Sequence, residues 1–258
     1  MGIFDSGVGG LSILHEIQAL LPHEQLIYIA DSANAPYGDK STLFIQQRSF
    51  SLAKFLIAQG CKSLVIACNT ATTEAISLLR QQLSIPIIGV EPAIKPAATL
   101  SKNKIIGVLA THRTLQSQRV QQLIQHYAQG VTVLTQACPG LMEIVETSHI
   151  YTRTDLQLLK SYTQPLLDQH IDTLVLGCTH YPFLLKPIRD IAGEAIPILE
   201  TGKPVALQLR RMLKQNHHLT QHKGKGKVVF YSSLNTLQNT QTIQRLWQQK
   251  VRVKPLPT

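Results

Sequence analysis

Residues 63–70 read "SLVIACNT" and residues 173–180 read "TLVLGCTH", so the chain twice runs a short apolar stretch into a cysteine followed by hydrogen-bonding residues. The cysteines, Cys68 and Cys178, stand 110 positions apart, and at that offset Leu56, Gln59, Leu64 and Val65 fall on Leu166, Gln169, Leu174 and Val175. Pro86-Ile87 is echoed by Pro197-Ile198. An internal duplication predicts two similar halves, each delivering its cysteine from the end of a strand.

Strand-like and helix-period runs alternate along the chain, the pattern of an α/β fold with mainly parallel sheets. "GIFDS" enters a Gly-rich turn and then a helix whose Leu11, Leu14, Ile17 and Leu21 recur at helical spacing. "QLIYIADS", "SLVIACNT" and "IPIIGVE" read as the next strands, with a helix at "TLFIQQRSFSLAKFLIAQG" and another running through Arg80. The series restarts at "KIIGVLAT" (104–111), continues through a helix at 115–126, "VTVLTQA" and a helix at 155–169, and reaches "TLVLGCTH" and "IPILETG". "VVFYS" (228–232) and the helix after it are expected to complete the first sheet. The division is therefore residues 1–94 with 205–258, a discontinuous first domain, and residues 95–204, a second. Ligands of such sheets bind beyond the carboxyl ends of the strands, which places the site between the halves.

The chain has 258 residues, 44% hydrophobic and 16% charged, enough for sizeable cores. No apolar run reaches the roughly 18–20 residues of a membrane span, and the N-terminus "MGIFDSGVGG" lacks the plan of a secretory signal. A cytoplasmic protein is expected, and its four cysteines are then free thiols. No Cys-x-x-Cys spacing points to metal. The net charge of +10 is spread along the sequence without a nucleic-acid motif, and with 5% aromatic residues base stacking has little to work with. A basic surface is the plainer reading.

Two thiols from equivalent strand ends ask for chemistry that uses both. Nucleophilic catalysis needs one cysteine, and redox motifs place the pair close in sequence. Acid/base work on both faces of a tetrahedral carbon uses the pair: one thiolate removes a proton and the opposite thiol returns one, inverting the centre. A thiol of ordinary pKa is only about 3% ionised at pH 7, so neighbours must tune it, and Asp5, Glu146 and His180 are the candidates. Asn69, Thr70 and Thr179 follow the thiols where a strand opens onto a helix N-terminus, a place suited to a carboxylate. A single strand-end cysteine is ordinarily a small buried hydrophobe, the reading kept for Cys61 and Cys138. "DSGVGG" matches neither a dinucleotide fingerprint nor a P-loop.

With "FDSGVGG", "PYG", "ACNTA", "CP" followed by "IVE", and "LVLGCTHYP" in this order, the sequence resembles the glutamate racemases, cofactor-independent enzymes that supply D-glutamate for peptidoglycan. The resemblance implies two flavodoxin-like doubly wound domains, pseudo-symmetric, with the active site between them, and homodimers. It implies L- and D-glutamate as ligands, no cofactor and no metal. Cys68 and Cys178 match the catalytic acid/bases, Cys68 acting on D-glutamate and Cys178 on L-glutamate, with Asp5, Glu146 and His180 as auxiliary acid/base groups. Asp5, Ser6, Tyr37, Gly38, Asn69, Thr70, Thr179 and His180 match the substrate-binding residues.

Two positions depart from the pattern: Glu200 stands before Thr201 where Asp is usual, and Ala93 where Gly is common. The rival in the same superfamily is an aspartate or broad-specificity amino-acid racemase, whose second motif commonly reads Cys-Thr-Glu; His180 favours glutamate. A rival of another class is a non-catalytic binding or regulatory protein on this scaffold, with nucleic acid or DNA gyrase as its partner.

Overall fold

In the computed structural model, which describes residues 1–147 and 151–257, the chain forms two all-parallel sheets. The first begins with β1 (Gly2–Asp5), α1 (Leu11–Leu20), β2 (Leu26–Ala30), α2 (Thr42–Ala58), β3 (Leu64–Ile66), α3 (Asn69–Gln82) and β4 (Ile87–Gly89). After α4 (Ile94–Leu100), the second contains β5 (Ile105–Ala110), α5 (His112–Gln116), α6 (Gln118–Tyr127) and β6 (Thr132–Ala137). It continues with α7 (Leu141–Thr147), α8 (Arg153–Leu167), β7 (Thr173–Leu176), α9 (Leu185–Ala192) and β8 (Ile198–Leu199). The chain then returns through α10 (Gly202–Gln215), β9 (Val228–Ser232), α11 (Leu237–Trp247) and β10 (Val253–Pro255).

The sheet orders are β10-β9-β2-β1-β3-β4 and β6-β5-β7-β8. Removing the two returning strands leaves β2-β1-β3-β4 against β6-β5-β7-β8, the same winding twice, and the duplicated sequence segments coincide with β3 and β7. Leu64, Val65 and Ile66 are fully buried, as are Leu174 and Val175. Strands covered by helices on both faces have no reason to alternate polar residues, which is why they read as continuous apolar runs. β9 joins the first sheet, as expected, and does so in parallel beside β2; the edge strand β10 pairs with β9 and carries too weak an apolar run to be foreseen.

Several boundaries differ from expectation for local reasons. The predicted helix over 115–126 is two helices, because Ser117 caps the second with its side chain accepting from the Val120 N–H at 3.3 Å. The helix predicted from Asp155 starts at Arg153, where Thr152 and Asp155 cap it reciprocally. Helices α4, α9 and α10 are short or polar enough that periodicity does not single them out. Ala93 has φ −74°, an ordinary value for an alanine, so glycine is not required there. Burial, then the charge of Glu16, pushes the Glu200 carboxyl above its usual range.

α10 lies along α1 and ties the returning segment to the first sheet. Leu209, on the buried face of α10, is fully enclosed. Leu209→Ala should therefore cost about 2–5 kcal/mol, read as a lower urea midpoint for unfolding.

Candidate active site

Between the carboxyl ends of β1, β3, β5 and β7 lies a cavity of about 240 Å³, walled by both sheets. Cys68 and Cys178 both line it, one supplied by each half. Cys68 is the N-cap of α3, its sulfur accepting from the Ala71 N–H at 3.4 Å and its thiol donating to Ser6 Oγ at 3.5 Å. Burial, then the neighbouring Asp5 carboxylate, pushes the Cys68 thiol well above its ordinary pKa. Cys178 does not cap a helix directly: a 3₁₀ turn at Tyr181–Leu184 intervenes before α9, which corrects the expectation of a helix N-terminus at both thiols.

Behind each thiol stands a carboxylate that does not itself reach the cavity wall. Asp5 is fully buried, and its oxygens accept from the Ser6 N–H at 2.6 Å and from Thr179 Oγ1 at 3.3 Å, linking the two halves. Burial raises the Asp5 pKa, an effect opposed first by His180. On the other side, His180 Nδ1 lies 3.7 Å from Cys178 Sγ, and its Nε2 lies 2.8 Å from Glu146 Oε1. A carboxylate only accepts, so Nε2 turns a proton towards Glu146 while Nδ1 faces the thiol. The Gly9 N–H at 3.2 Å from Nε2 is the weaker contact. Burial opposes the imidazolium, but hydrogen bonding to Cys178 and then Glu146 outweighs it and holds His180 well above its usual range.

Of the other predicted residues, Ser6, Tyr37, Gly38, Asn69, Thr70 and Thr179 all line the cavity. Asn69 is the most telling. Its side chain is buried, and neither its amide nitrogen nor its oxygen has a hydrogen-bond partner among the described residues. An unpaired buried polar group costs about 1–3 kcal/mol, a cost that a polar ligand would remove. The open N–H groups of the first turn of α3 sit beside it and suit a carboxylate.

The family described as Asp/Glu/Hydantoin racemase matches residues 11–209. A glutamate racemase of Methylococcus capsulatus is 46% identical over 257 residues, covering 100% of this chain and 95% of the relative. The chain belongs to the glutamate racemase family. Among solved family structures, Escherichia coli glutamate racemase in complex with L-glutamate and the activator UDP-MurNAc-Ala superposes with a TM-score of 0.88 at 30% identity, covering 99% of this chain and 97% of that one. Glutamate racemase from Francisella tularensis in complex with D-glutamate gives 0.86 at 29% identity, covering 99% and 96%. The two-sheet α/β architecture is therefore that of the glutamate racemases.

Residues beyond the sequence reading also build this racemase cavity. Cys138, read as a core cysteine, lines it, and its thiol is pushed up to about 12 by burial and then by Cys178. Its place directly after a strand was the available signal. Thr111, also just past a strand end, lies 3.0 Å from Thr70 through their hydroxyls, and Thr114 lies 3.1 Å from Thr70, clasping the halves together. Tyr37 is held by donating to Asp31 Oδ2 at 2.6 Å, and Asp31 is paired with Arg48 at 2.6 Å. Nothing in the spacing of Asp31 and Arg48 announces that pairing.

The Gly-rich turn owes its composition to close approach. A Cβ on Gly10 would lie 2.8 Å from the Asp5 Cβ and 2.9 Å from that of Ala67, and a Cβ on Gly9 would collide with the His180 ring. Gly9→Ala should displace the imidazole from Cys178 and lower kcat by about a hundredfold, with the far-UV circular dichroism unchanged.

Proposed function

We propose that the chain interconverts L- and D-glutamate by proton transfer between two thiols. The observation that carries this reading is a single cavity lined by Cys68 and Cys178, each delivered by an equivalent strand of a duplicated fold. In the D-to-L direction Cys68 thiolate removes the α-proton and the Cys178 thiol supplies one on the other face; the L-to-D direction reverses the roles. Asn69, Thr70 and Thr179 hold the α-carboxylate, with the α3 N-terminus stabilising charge as it develops. Ser6, backed by Asp5, takes the amine, and the side-chain carboxylate lies towards Tyr37 and Gly38. Asp5 tunes Cys68, while Glu146 and His180 tune Cys178.

The domain limits we propose are residues 1–94 with 205–258, and residues 95–204, so that the substrate lies between them. The product would serve peptidoglycan synthesis, and a cytoplasmic homodimer is the form we assign. Among the described residues no helix is long and apolar enough to cross a membrane. The test is loss of circular dichroism from L- or D-glutamate, with L- and D-aspartate run in parallel and no cofactor added. Equal rates on aspartate would favour a broad-specificity racemase, and no change with any of the four would refute the assignment.

A further inference from the structure

The positive charge of the chain is confined to the segment that returns to the first sheet, which corrects the expectation of a charge spread along the sequence. Residues 1–200 carry 14 Lys and Arg against 15 Asp and Glu, whereas residues 201–258 carry 11 and no acidic residue. Ten of the 11 are exposed, Arg245 being half-buried, and among the described residues none is in an ion pair. All strands of a parallel sheet start at one end. The segments leading into β9 and β10 therefore share a face with those leading into β1–β4, opposite the cavity at the carboxyl ends. Main-chain contacts hold the cations there: the Gly226 N–H donates to Pro22 O at 2.8 Å, the Lys227 N–H to Gln25 Oε1 at 3.1 Å, and the Leu26 N–H to Lys227 O at 2.9 Å. These bonds pin Lys223, Lys225 and Lys227 beside the start of β2. Lys214 sits in the last turn of α10, just before this segment, and Lys250 and Arg252 lead into β10, the neighbour of β9. The one acidic residue in the segments that lead into the six strands is Glu24. It is buried, and its oxygens are taken by Lys62 Nζ at 2.7 Å and the Thr220 N–H at 2.8 Å. No carboxylate in those segments is left to neutralise the other six cations.

We propose that this face binds duplex nucleic acid through its phosphate backbone, without reading bases. Duplex DNA presents one negative charge per about 1.7 Å of its axis, and each lysine or arginine that neutralises a phosphate releases condensed counterions. The uncharged residues between the cations, Asn216, Thr220, Gln221, Gln248 and Gln249, are of the types that hydrogen-bond to phosphate and sugar. The apolar residues of the same segments, Leu219 and Val251, are packed against the core, so none stands ready to enter a bilayer. No Phe, Tyr or Trp occurs in residues 216–227 or 248–252 to stack an unpaired base, which favours a duplex over a single strand. A duplex bound there leaves the mouth of the cavity open.

The probe is a short fluorescein-labelled DNA duplex of mixed sequence, titrated with the full chain and followed by fluorescence anisotropy. Its affinity should fall by roughly 500-fold between about 50 and 200 mM salt, the dependence expected for about five phosphate contacts. Lys223→Gln, Lys225→Gln and Lys227→Gln combined should weaken binding by about tenfold or more at the lower salt, and should flatten the logarithmic salt slope by about 3. Lys95→Gln, Lys160→Gln and Lys186→Gln combined remove the same charge from exposed positions on α4, α8 and α9, and should leave both quantities near wild type. No binding at the lower salt, an affinity indifferent to salt, or an equal loss in the two triple variants would overturn the proposal. So would tighter association with phosphatidylserine vesicles, or with a single strand of thymidines, than with the duplex; either would assign the face to a different partner.

Discussion

Cys68→Ala and Cys178→Ala should each abolish racemisation, because inversion requires one group to take a proton and another to return it. The loss should reach the detection limit in both directions for both variants, measured by polarimetry on purified protein. Serine at either position should lose several orders of magnitude, since a hydroxyl is a far weaker acid than a thiol. Neither change should harm the fold: both side chains are small, and each leaves at most a sulfur-sized void at the edge of an existing cavity. Unchanged unfolding midpoints would show that chemistry, not structure, had been removed.

The pH profile follows from the same pair. The active free enzyme carries one proton between the two thiols, and activity falls when the second also ionises. Burial raises the Cys68 pKa, so this thiol stays protonated to higher pH than an unperturbed cysteine. The alkaline limb of kcat/KM, which reports the free enzyme, should therefore lie above the ordinary thiol value of about 8.5. An alkaline limb at or below that value would contradict the buried setting of Cys68.

His180→Asn should be the next most damaging change. The imidazole contacts Cys178 and, among the described residues, no other thiol. Racemisation should fall by about 10²–10⁴-fold, the scale of losing one acid/base group. It must fall equally in kcat/KM for both enantiomers, which are of equal free energy. The damage becomes one-sided only in a half-reaction: proton removal from an L-substrate analogue should slow as severely, and from a D-analogue far less. Equal slowing of both would mean that His180 supports the cavity as a whole rather than Cys178.

Much of this was readable from residues alone, for identifiable reasons. Parallel strands buried on both faces leave continuous apolar runs, so β1, β3, β5 and β7 stand out, and the offset of 110 pairs Cys68 with Cys178. The cysteine followed by Asn69 and Thr70, or by Thr179 and His180, is a local signal because strand ends and the residues after them share one place in space. What was hidden depends on contacts distant in sequence. Asp31, Arg48 and Tyr37 come together only when α2 packs against the first sheet, and Thr70 meets Thr111 and Thr114 only when the halves close. Cys138 has no partner in the duplicated pattern, so its place in the cavity wall could not be inferred from the repeat. The Ser117 break lies in the polar run Gln116–Arg119, which holds no Gly or Pro to mark an end, and there a side-chain cap resets the helix.

The central claim, one thiol for each face of the substrate, is tested most directly by elimination from a glutamate analogue with a leaving group at the β-carbon. That reaction needs only the first deprotonation, so a single working thiol suffices. Cys68→Ser should still process the L-analogue through Cys178, and Cys178→Ser the D-analogue through Cys68, each with the opposite enantiomer nearly inert. Equal loss on both enantiomers in both variants would contradict the account and leave one catalytic cysteine with a structural twin.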